Sequence, residues 1–203
     1  MARDLSPIVK QSRREGYALS PKASKIMAKK TSIPGQHGNG RRNKPSLYLT
    51  QLREKQKVRR IYGLLEKHFA KLMTDAERMP GIAGENLLML LESRADNAVY
   101  RAGFAPTRRG ARQLVSHGHF TLNGRRITVP SIRLKAGDVL ALRAKSMKSD
   151  YFKAVEPAVA QAAPLSWIKV DAKKMQITVT GTPKRDEAEV GINEQLIVEY
   201  YSR

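Results

Sequence analysis

The sequence contains no cysteine. Disulfides and Cys-ligated zinc are therefore excluded, and a reducing compartment is the consistent setting. Acidic residues are scarce as well. Only 18 Asp+Glu stand against 38 Lys+Arg, a formal charge of +20 over 203 residues. A surplus of this size destabilises a compact chain through self-repulsion, and a polyanion offsets it. Nucleic acid is the first polyanion to consider and an anionic membrane the second. No apolar run approaches the roughly 18 residues needed to span a bilayer. Met1-Ala2-Arg3-Asp4 also lacks the apolar stretch of a secretory signal, so no membrane partner is expected. What is present in quantity is enough apolar residue for a core: 41% of the chain. A length near 200 residues allows one or two modest domains.

The positive charge is unevenly spread. Residues 1–60 hold 16 Lys+Arg and 3 Asp+Glu, whereas residues 61–203 hold 22 and 15. Residues 1–45 show little regular periodicity, and Pro34-Gly35-Gln36-His37-Gly38-Asn39-Gly40 reads as loop. A basic segment this poor in apolar residues cannot fold alone. It is expected to order against RNA or against the body of the protein; the alternative is a flexible basic tail. From Ser46 to about Met73 the pattern turns helical. Leu49, Leu52, Ile61, Leu65, Phe69 and Leu72 share one face at spacings of three and four. Lys55, Lys57, Arg59 and Arg60 lie mostly off that stripe. Met79-Pro80-Gly81 breaks the pattern, and a second helix is expected over Gly84 to Leu91. There is no internal repeat.

Residues 93–143 are the most legible stretch. Ser93 is placed to cap a helix with Ala95, Ala98, Val99 and Ala102 on its apolar face, and Gly103 fits the left-handed position that ends it. Thr107 caps the next helix, Ala111, Leu114 and Val115 line its inner face, and Gly118 ends it. Phe120-Thr121-Leu122, Asn123-Gly124 and Ile127-Thr128-Val129 then read as a hairpin, because both turn positions need positive φ. A last strand runs from Val139 to Arg143. Residues 156–164, rich in Ala and Pro, are expected to be a connector. Trp167 to Val170 and Gln176 to Val179 read as strands, and Asn193 to Tyr201 as a capped helix with Leu196, Ile197, Tyr200 and Tyr201 on one face.

The two-helix stretch carries a directed basic surface. Arg108 and Arg112 are four apart and stack opposite Leu114 and Val115. Arg109 is adjacent, Arg101 belongs to the preceding helix, and the hairpin turn adds Arg125 and Arg126 beside Asn123. The helix start at Thr107 offers free N–H groups that suit a phosphate, and arginine forks grip phosphates bidentately. A-form RNA hides its base edges in a deep groove, so proteins read its shape and backbone. The bland alternative is a solvated charged face, but nearly all these charges have one sign. Gln113, His117, His119 and Asn123 lie beside this surface, within reach of sugar or base. His117-Gly118-His119 suggests a metal only weakly, with no Cys and no third ligand in view.

Taken together, Glu92-Ser93-Arg94-Ala95-Asp96-Asn97, Tyr100 to Phe104, Thr107-Arg108 and Ala111 to His119 resemble the RNA-binding module of the S-four family of bacterial small-subunit ribosomal proteins. Asn123-Gly124 and Pro130-Ser131 continue the likeness. Outside the module, Pro34 to Gly38 resembles the family's N-terminal loop, Leu52 to Lys57 with Arg60 to Gly63 and Glu66-Lys67 resembles its long basic helix, and Ile192 to Ser202 resembles its C-terminus. The segment from Asp171 to Glu189 matches least. Many members carry Cys near the N-terminus and bind zinc. Here Ser12 stands in the corresponding region, so the chain is similar to a zinc-free branch and no metal or other cofactor is expected.

The resemblance implies an α+β protein: a mostly helical domain with an inserted RNA-binding module of two helices and a small sheet with a hairpin, preceded by a basic extended N-terminal segment. The implied boundaries are 1–45 for the extension, 46–92 plus 172–203 for the helical domain, and 93–171 for the module. The implied RNA contacts are Gln36, His37, Arg41, Arg42 and Lys44 in the extension, Arg53, Lys55, Lys57, Arg59 and Arg60 on the long helix, and Arg94, Arg101, Thr107, Arg108, Arg109, Arg112, Gln113, His117, His119, Asn123, Arg125 and Arg126 in the module. The implied role is structural: primary binding of 16S rRNA early in assembly, beside the neighbouring proteins S-five and S-three, near where messenger RNA enters, with an influence on decoding accuracy. A cytoplasmic ribosomal location follows from the same likeness, and no homo-oligomer is expected.

Similar modules are also appended to RNA-modifying enzymes of the pseudouridine synthase kind, and Ser93-Arg94-Ala95-Asp96 loosely resembles their Asp motif. The competing reading of Asp96 is a capping or arginine-pairing residue, on which Asp96→Asn costs little. No stretch is left for a catalytic domain, and there is no Gly-rich phosphate loop or nucleophile elbow. A DNA-binding helix-turn-helix is the third reading, which the hairpin and the extended basic helix fit less well.

Overall fold

The computed structural model describes residues 4–40, 44–161 and 163–202. It divides into two compact units, one formed by residues 1–84 with 191–203 and the other by residues 85–190. The architecture is α+β.

The first unit is helical. It contains α1 (Ile8–Glu15), α2 (Pro21–Met27), α3 (Leu47–Ile61), α4 (Glu66–Glu77) and, from the C-terminus, the helix over Glu194–Tyr201. Residues 1–45 were expected to lack regular structure; α1 and α2 correct that. Their signals are local. Gly16 ends α1 at φ 65°, and Ser20 caps α2, its side chain accepting from the Ala23 N–H, with Pro21 in the first turn. Gln11, Ser12 and Ala23 are buried, so the pair has a small and mostly polar interior. The expected single helical stretch from Ser46 to Met73 is also broken in two. Gly63 takes φ 63°, and the Leu64 N–H reaches back to the Arg59 carbonyl at 2.9 Å, closing α3. Val58, Ile61, Phe69, Leu72 and Met73 form the buried side, whereas Leu49 is 41% exposed and lies outside it.

In the second unit, α5 (Ala83–Glu92) leads into α6 (Ala95–Arg101) and α7 (Arg108–Ser116). A five-stranded antiparallel sheet follows, from β1 (Phe120–Leu122), β2 (Arg125–Arg126), β3 (Val139–Leu142), β4 (Ile168–Asp171) and β5 (Gln176–Val179), in the order β2-β1-β3-β5-β4. Between β3 and β4 lie α8 (Ala144–Met147) and α9 (Asp150–Ala160); the C-terminal helix named above is α10. The core joins helices to sheet through Val99, Phe104, Val115, Phe120, Leu140, Trp167 and Ile177. Phe104 meets Phe120 edge to face at 5.3 Å.

Asn123 and Gly124 take φ 49° and 81° and join strands in register Leu122↔Arg125, a two-residue hairpin as expected. The return strand is shorter than expected, however. It is Arg125–Arg126, and Ile127 to Val129 form no strand. Past Ile127 the chain leaves the sheet and runs to the start of α6. There the Ile132 and Pro130 carbonyls accept from the Ala95 and Asp96 N–H groups at 2.9 and 3.2 Å. These backbone bonds satisfy donors that a helix start otherwise leaves open. Ser93 is therefore not the cap: Arg94 holds that position, and the Ser93 hydroxyl donates to the Leu90 carbonyl. Residues 156–160, expected as connector, continue α9 with Pro157 inside it. The β5 strand pairs with both β3 and β4, which places residues 172–179 in the sheet unit rather than in the helical domain to which they were assigned.

α1 is tied to α3 by one carboxylate. The Glu15 side chain is fully buried and accepts from Arg53 at 3.2 Å and from Arg60. Burial pushes its carboxyl above the ordinary range, and the Arg53 and Arg60 guanidiniums oppose that rise. Glu15→Ala should cost about 1–3 kcal/mol, because two guanidiniums lose a charged acceptor but keep a path to water. It should also make the α1–α2 segment more sensitive to trypsin in the free protein. Denaturant unfolding and timed proteolysis measure both; an unaltered digestion rate at Arg13 and Arg14 would show that Glu15 does not hold the segment.

Candidate nucleic-acid interface

Thr107 opens α7 as expected, its hydroxyl accepting from the Gly110 N–H at 3.2 Å. Arg108 and Arg112 share a face, also as expected. That face, however, is lined with carboxylates. Arg108 donates to Asn97 Oδ1 at 2.8 Å and to Glu189 at 2.7 Å, and its guanidinium lies 4.4 Å from the Tyr100 ring centre. Arg101 forks onto Glu92 at 2.9 and 2.8 Å. Arg94 forks onto Asp96 at 3.0 and 2.9 Å, and Arg112 reaches the same carboxylate at 3.5 Å. Glu92 is 1% exposed and also accepts from Asn97 at 2.6 Å. Arg101, Arg108 and Arg112, expected on one basic surface, do lie together, and Arg94 joins them. Their immediate partners are three acids, Glu92 and Asp96 nearby and Glu189 far along the chain, so their first task is to lock α5, α6 and α7 together.

Asp96 is the arginine-pairing residue of the two readings offered for it. One oxygen accepts from Arg94 Nε and the Asn97 N–H, the other from Arg94 Nη2 and Arg112 Nη1. That arrangement fills the carboxylate's acceptor directions and presents no oxygen to a substrate.

The outward cations lie elsewhere on the same helix. Arg109, Gln113 and His117 recur at four-residue spacing and all are exposed. The stripe ends where Arg126 Nη2 donates to the His117 carbonyl at 3.4 Å and Arg143 Nη1 donates to the Gly118 carbonyl at 3.2 Å. Exposed Arg125 extends it along the hairpin. Arg143 was not among the expected contacts; its position at the end of β3 carries no sequence signal for reaching the end of α7. Asn123, by contrast, is committed to the turn. Its amide donates to Asp138 at 2.8 Å and accepts from the Val139 N–H at 2.8 Å. His119 follows the two carbonyls these arginines serve, with Nδ1 2.9 Å from Ser146 Oγ. Desolvation lowers its pKa from the ordinary value, and His117, Arg143 and Arg126 lower it further. Among the described residues, no group of three or more His, Cys, Asp or Glu is placed to hold a metal.

In the first unit the expected α3 contacts are likewise engaged internally. Lys55 donates to Glu66 at 2.6 Å and lies 4.4 Å from the Tyr200 ring centre. Lys57 pairs with Glu54 at 2.8 Å, Arg59 donates to Gln56 at 2.9 Å, and Arg53 and Arg60 hold Glu15. Gln36, His37 and Lys44 are exposed. Arg41 and Arg42 lie outside the described residues. Two cations missed in the sequence, Lys10 and Arg14, stand one turn apart on α1 and line a cleft of about 260 Å³ with Pro34, Gly35 and Arg60. Their four-residue spacing was the available signal.

The Asp96 geometry predicts a larger cost for Asp96→Asn than the sequence alone implies. Losing this charge leaves Arg94, whose side chain is 5% exposed, without its counterion. We expect a loss of about 2–4 kcal/mol in urea unfolding; a loss below about 0.5 kcal/mol, typical of a surface change, would remove the network from the fold's supports.

Comparison with known proteins agrees with the geometry. Residues 3–92 match the ribosomal protein S4/S9 N-terminal domain, and residues 93–140 match the S4 domain. Over their full lengths, the chain is 47% identical to the small ribosomal subunit protein uS4 of Syntrophomonas wolfei. The corresponding protein of Roseiflexus castenholzii is 47% identical, and that of Chlorobium phaeovibrioides 46%, again with both chains covered completely. Identity at this level across the entire length places the chain in the uS4 family of small ribosomal subunit proteins, structural components rather than enzymes.

Proposed function

We propose that this chain binds 16S rRNA of the small subunit directly, through the exposed stripe Arg109-Gln113-His117 and the hairpin cations Arg125 and Arg126, with the cleft of Lys10 and Arg14 as a second contact. The observation that carries the reading is the sorting of charge. Arginines facing inward are matched by Glu92, Asp96 and Glu189, while Arg109, Arg125, Arg126 and Arg143 have no carboxylate within ion-pair distance among the described residues. A surface of one sign on a rigid helix and hairpin suits the backbone of a folded RNA. Affinity comes from counterion release and specificity from fit to a multi-helix junction. The family likeness extends the proposal to early assembly, to a place near where messenger RNA enters, to an influence on decoding accuracy and to S-five and S-three as neighbours, within the cytoplasmic ribosome.

The test is the salt dependence of binding to 16S rRNA, with duplex DNA of equal length as competitor. Arg109→Ala and Arg125→Ala should each flatten the slope of log affinity against log salt by about one unit. Arg112→Ala should instead lower stability, since its guanidinium faces Asp96. Equal affinity for rRNA and DNA, or slopes unmoved by both exposed variants, would refute this interface.

A further inference from the structure

The end of α7 is built around His119. His117 closes the helix, Gly118 is left-handed at φ 73°, and the His119 N–H returns to the Leu114 carbonyl at 3.3 Å. This motif fixes the His119 backbone. The ring is fixed too, by the 2.9 Å contact of Nδ1 with Ser146 Oγ on α8 and by Phe152 of α9, 5.4 Å away between ring centres. Nε2 has no hydrogen-bond partner among the described residues.

The neighbourhood is cationic from nearly every side. α7 contributes His117, its ring centre 6.2 Å away. β2 contributes Arg126, whose guanidinium lies close over Gly118, where a Cβ would displace it. The end of β3 contributes Arg143. α8 adds exposed Lys145, and α9 carries Asp150 and Lys153, which pair with each other at 3.3 Å, the Asp150 side chain 99% exposed. No carboxylate pairs with His117, His119, Arg126 or Arg143 among the described residues. The two arginines already serve the open carbonyls at the helix end, so the helix dipole is answered before His119 can answer it.

We propose that His117, His119, Arg126 and Arg143 form a seat for one RNA backbone phosphate, and that His119 takes up a proton from solvent when the phosphate arrives. This deepens the rRNA-binding reading and rests on it. In the free protein, desolvation and the positive neighbours hold the imidazole below its ordinary pKa, so it is neutral at pH 7. A phosphodiester brings one negative charge into the cluster and reverses the local potential. The imidazolium is then favoured, and with both ring nitrogens protonated Nδ1–H can donate to Ser146 Oγ while Nε2–H donates to a phosphate oxygen. One proton is gained, no covalent bond changes, and the diester keeps its charge.

The linkage has a definite sign. The bound pKa lies above the free one, so affinity rises as pH falls through the bound value and levels off below the free value. Each unit of separation between the two corresponds to a tenfold gain.

The experiment measures affinity of the full chain for 16S rRNA from pH 5.5 to 8.5 at fixed salt. Wild type should tighten severalfold or more as the pH falls. His119→Gln keeps a polar group for Ser146 and should lose that rise. His119→Arg, charged throughout, should bind at pH 8.5 as wild type does at low pH, with a flat profile. A wild-type profile that is flat, or one that persists unaltered in His119→Gln, would overturn the seat while leaving rRNA binding intact. Failure of wild type to prefer rRNA over DNA at every pH would instead sink the broader reading.

Discussion

Carboxylates are the limiting resource of this fold. With 18 acids against 38 Lys+Arg, cations cannot be paired one for one. The structure responds by placing single carboxylates between pairs of cations. Glu15 serves Arg53 and Arg60, Glu66 serves Lys55 and, at 3.9 Å, Arg59, and Asp96 serves Arg94 and Arg112. Glu92 and Glu189 together serve Arg101 and Arg108. Each is positioned where two helices, or a helix and a loop, must be held together. The geometry is forked or short in most cases, which is what makes a partly buried ion pair favourable against its desolvation.

Matching within the helical interfaces leaves the outward cations without counterions among the described residues. Arg109 on α7, Arg125 and Arg126 on the hairpin and Arg143 at the end of β3 all fall in this class. Self-repulsion among them persists until a polyanion arrives. The same shortage that forces each buried acid to serve two partners therefore produces a surface of one sign, the one proposed above to bind RNA. On the proposed reading, stability and RNA affinity are drawn from different arginines on one helix: Arg108 and Arg112 pair with buried or half-buried acids, and Arg109 faces outward.

This division was only half legible in the sequence. Helix ends could be read, because Gly103, Thr107, Gly118 and Asn123-Gly124 act through local backbone chemistry. The clustering of Arg108 with Arg112 could be read from a four-residue spacing. Their partner could not, since Glu189 lies far along the chain and spacing says nothing about what a face meets. Asp96 was readable as an arginine-pairing residue because Arg94 is two residues away; that Arg112 shares its carboxylate was not. The break at Gly63 was hidden by apolar residues that keep helical spacing across it. The strand expected at Ile127 to Val129 stops short for a non-local reason: the open N–H groups at the start of α6 hold the Pro130 and Ile132 carbonyls, which draws the chain off the sheet past Ile127.

The N-terminal segment shows how the fold manages without thiolates. The family resemblance assigns zinc to this region in members that carry cysteine there. In this chain hydrogen bonds tie α1 to the segments on either side of it. Ser12 Oγ donates to the Ile8 carbonyl at 2.8 Å and accepts from the Leu19 N–H at 3.2 Å, joining α1 to the loop that follows it. Gln11 donates to Asp4 at 2.7 Å, Arg13 donates to the Ser32 carbonyl at 2.9 Å, and Arg14 donates to the Pro34 carbonyl at 3.1 Å. Each such bond contributes only about 0.5–1.5 kcal/mol net, or somewhat more where a charge is involved, so several are needed where one metal ion would serve. They also differ in kind. A zinc site closes on its own ligands, whereas Arg13 and Arg14 reach across to the loop that carries Gln36 and His37, so the bonds that order α1 also set the shape of the neighbouring basic cleft.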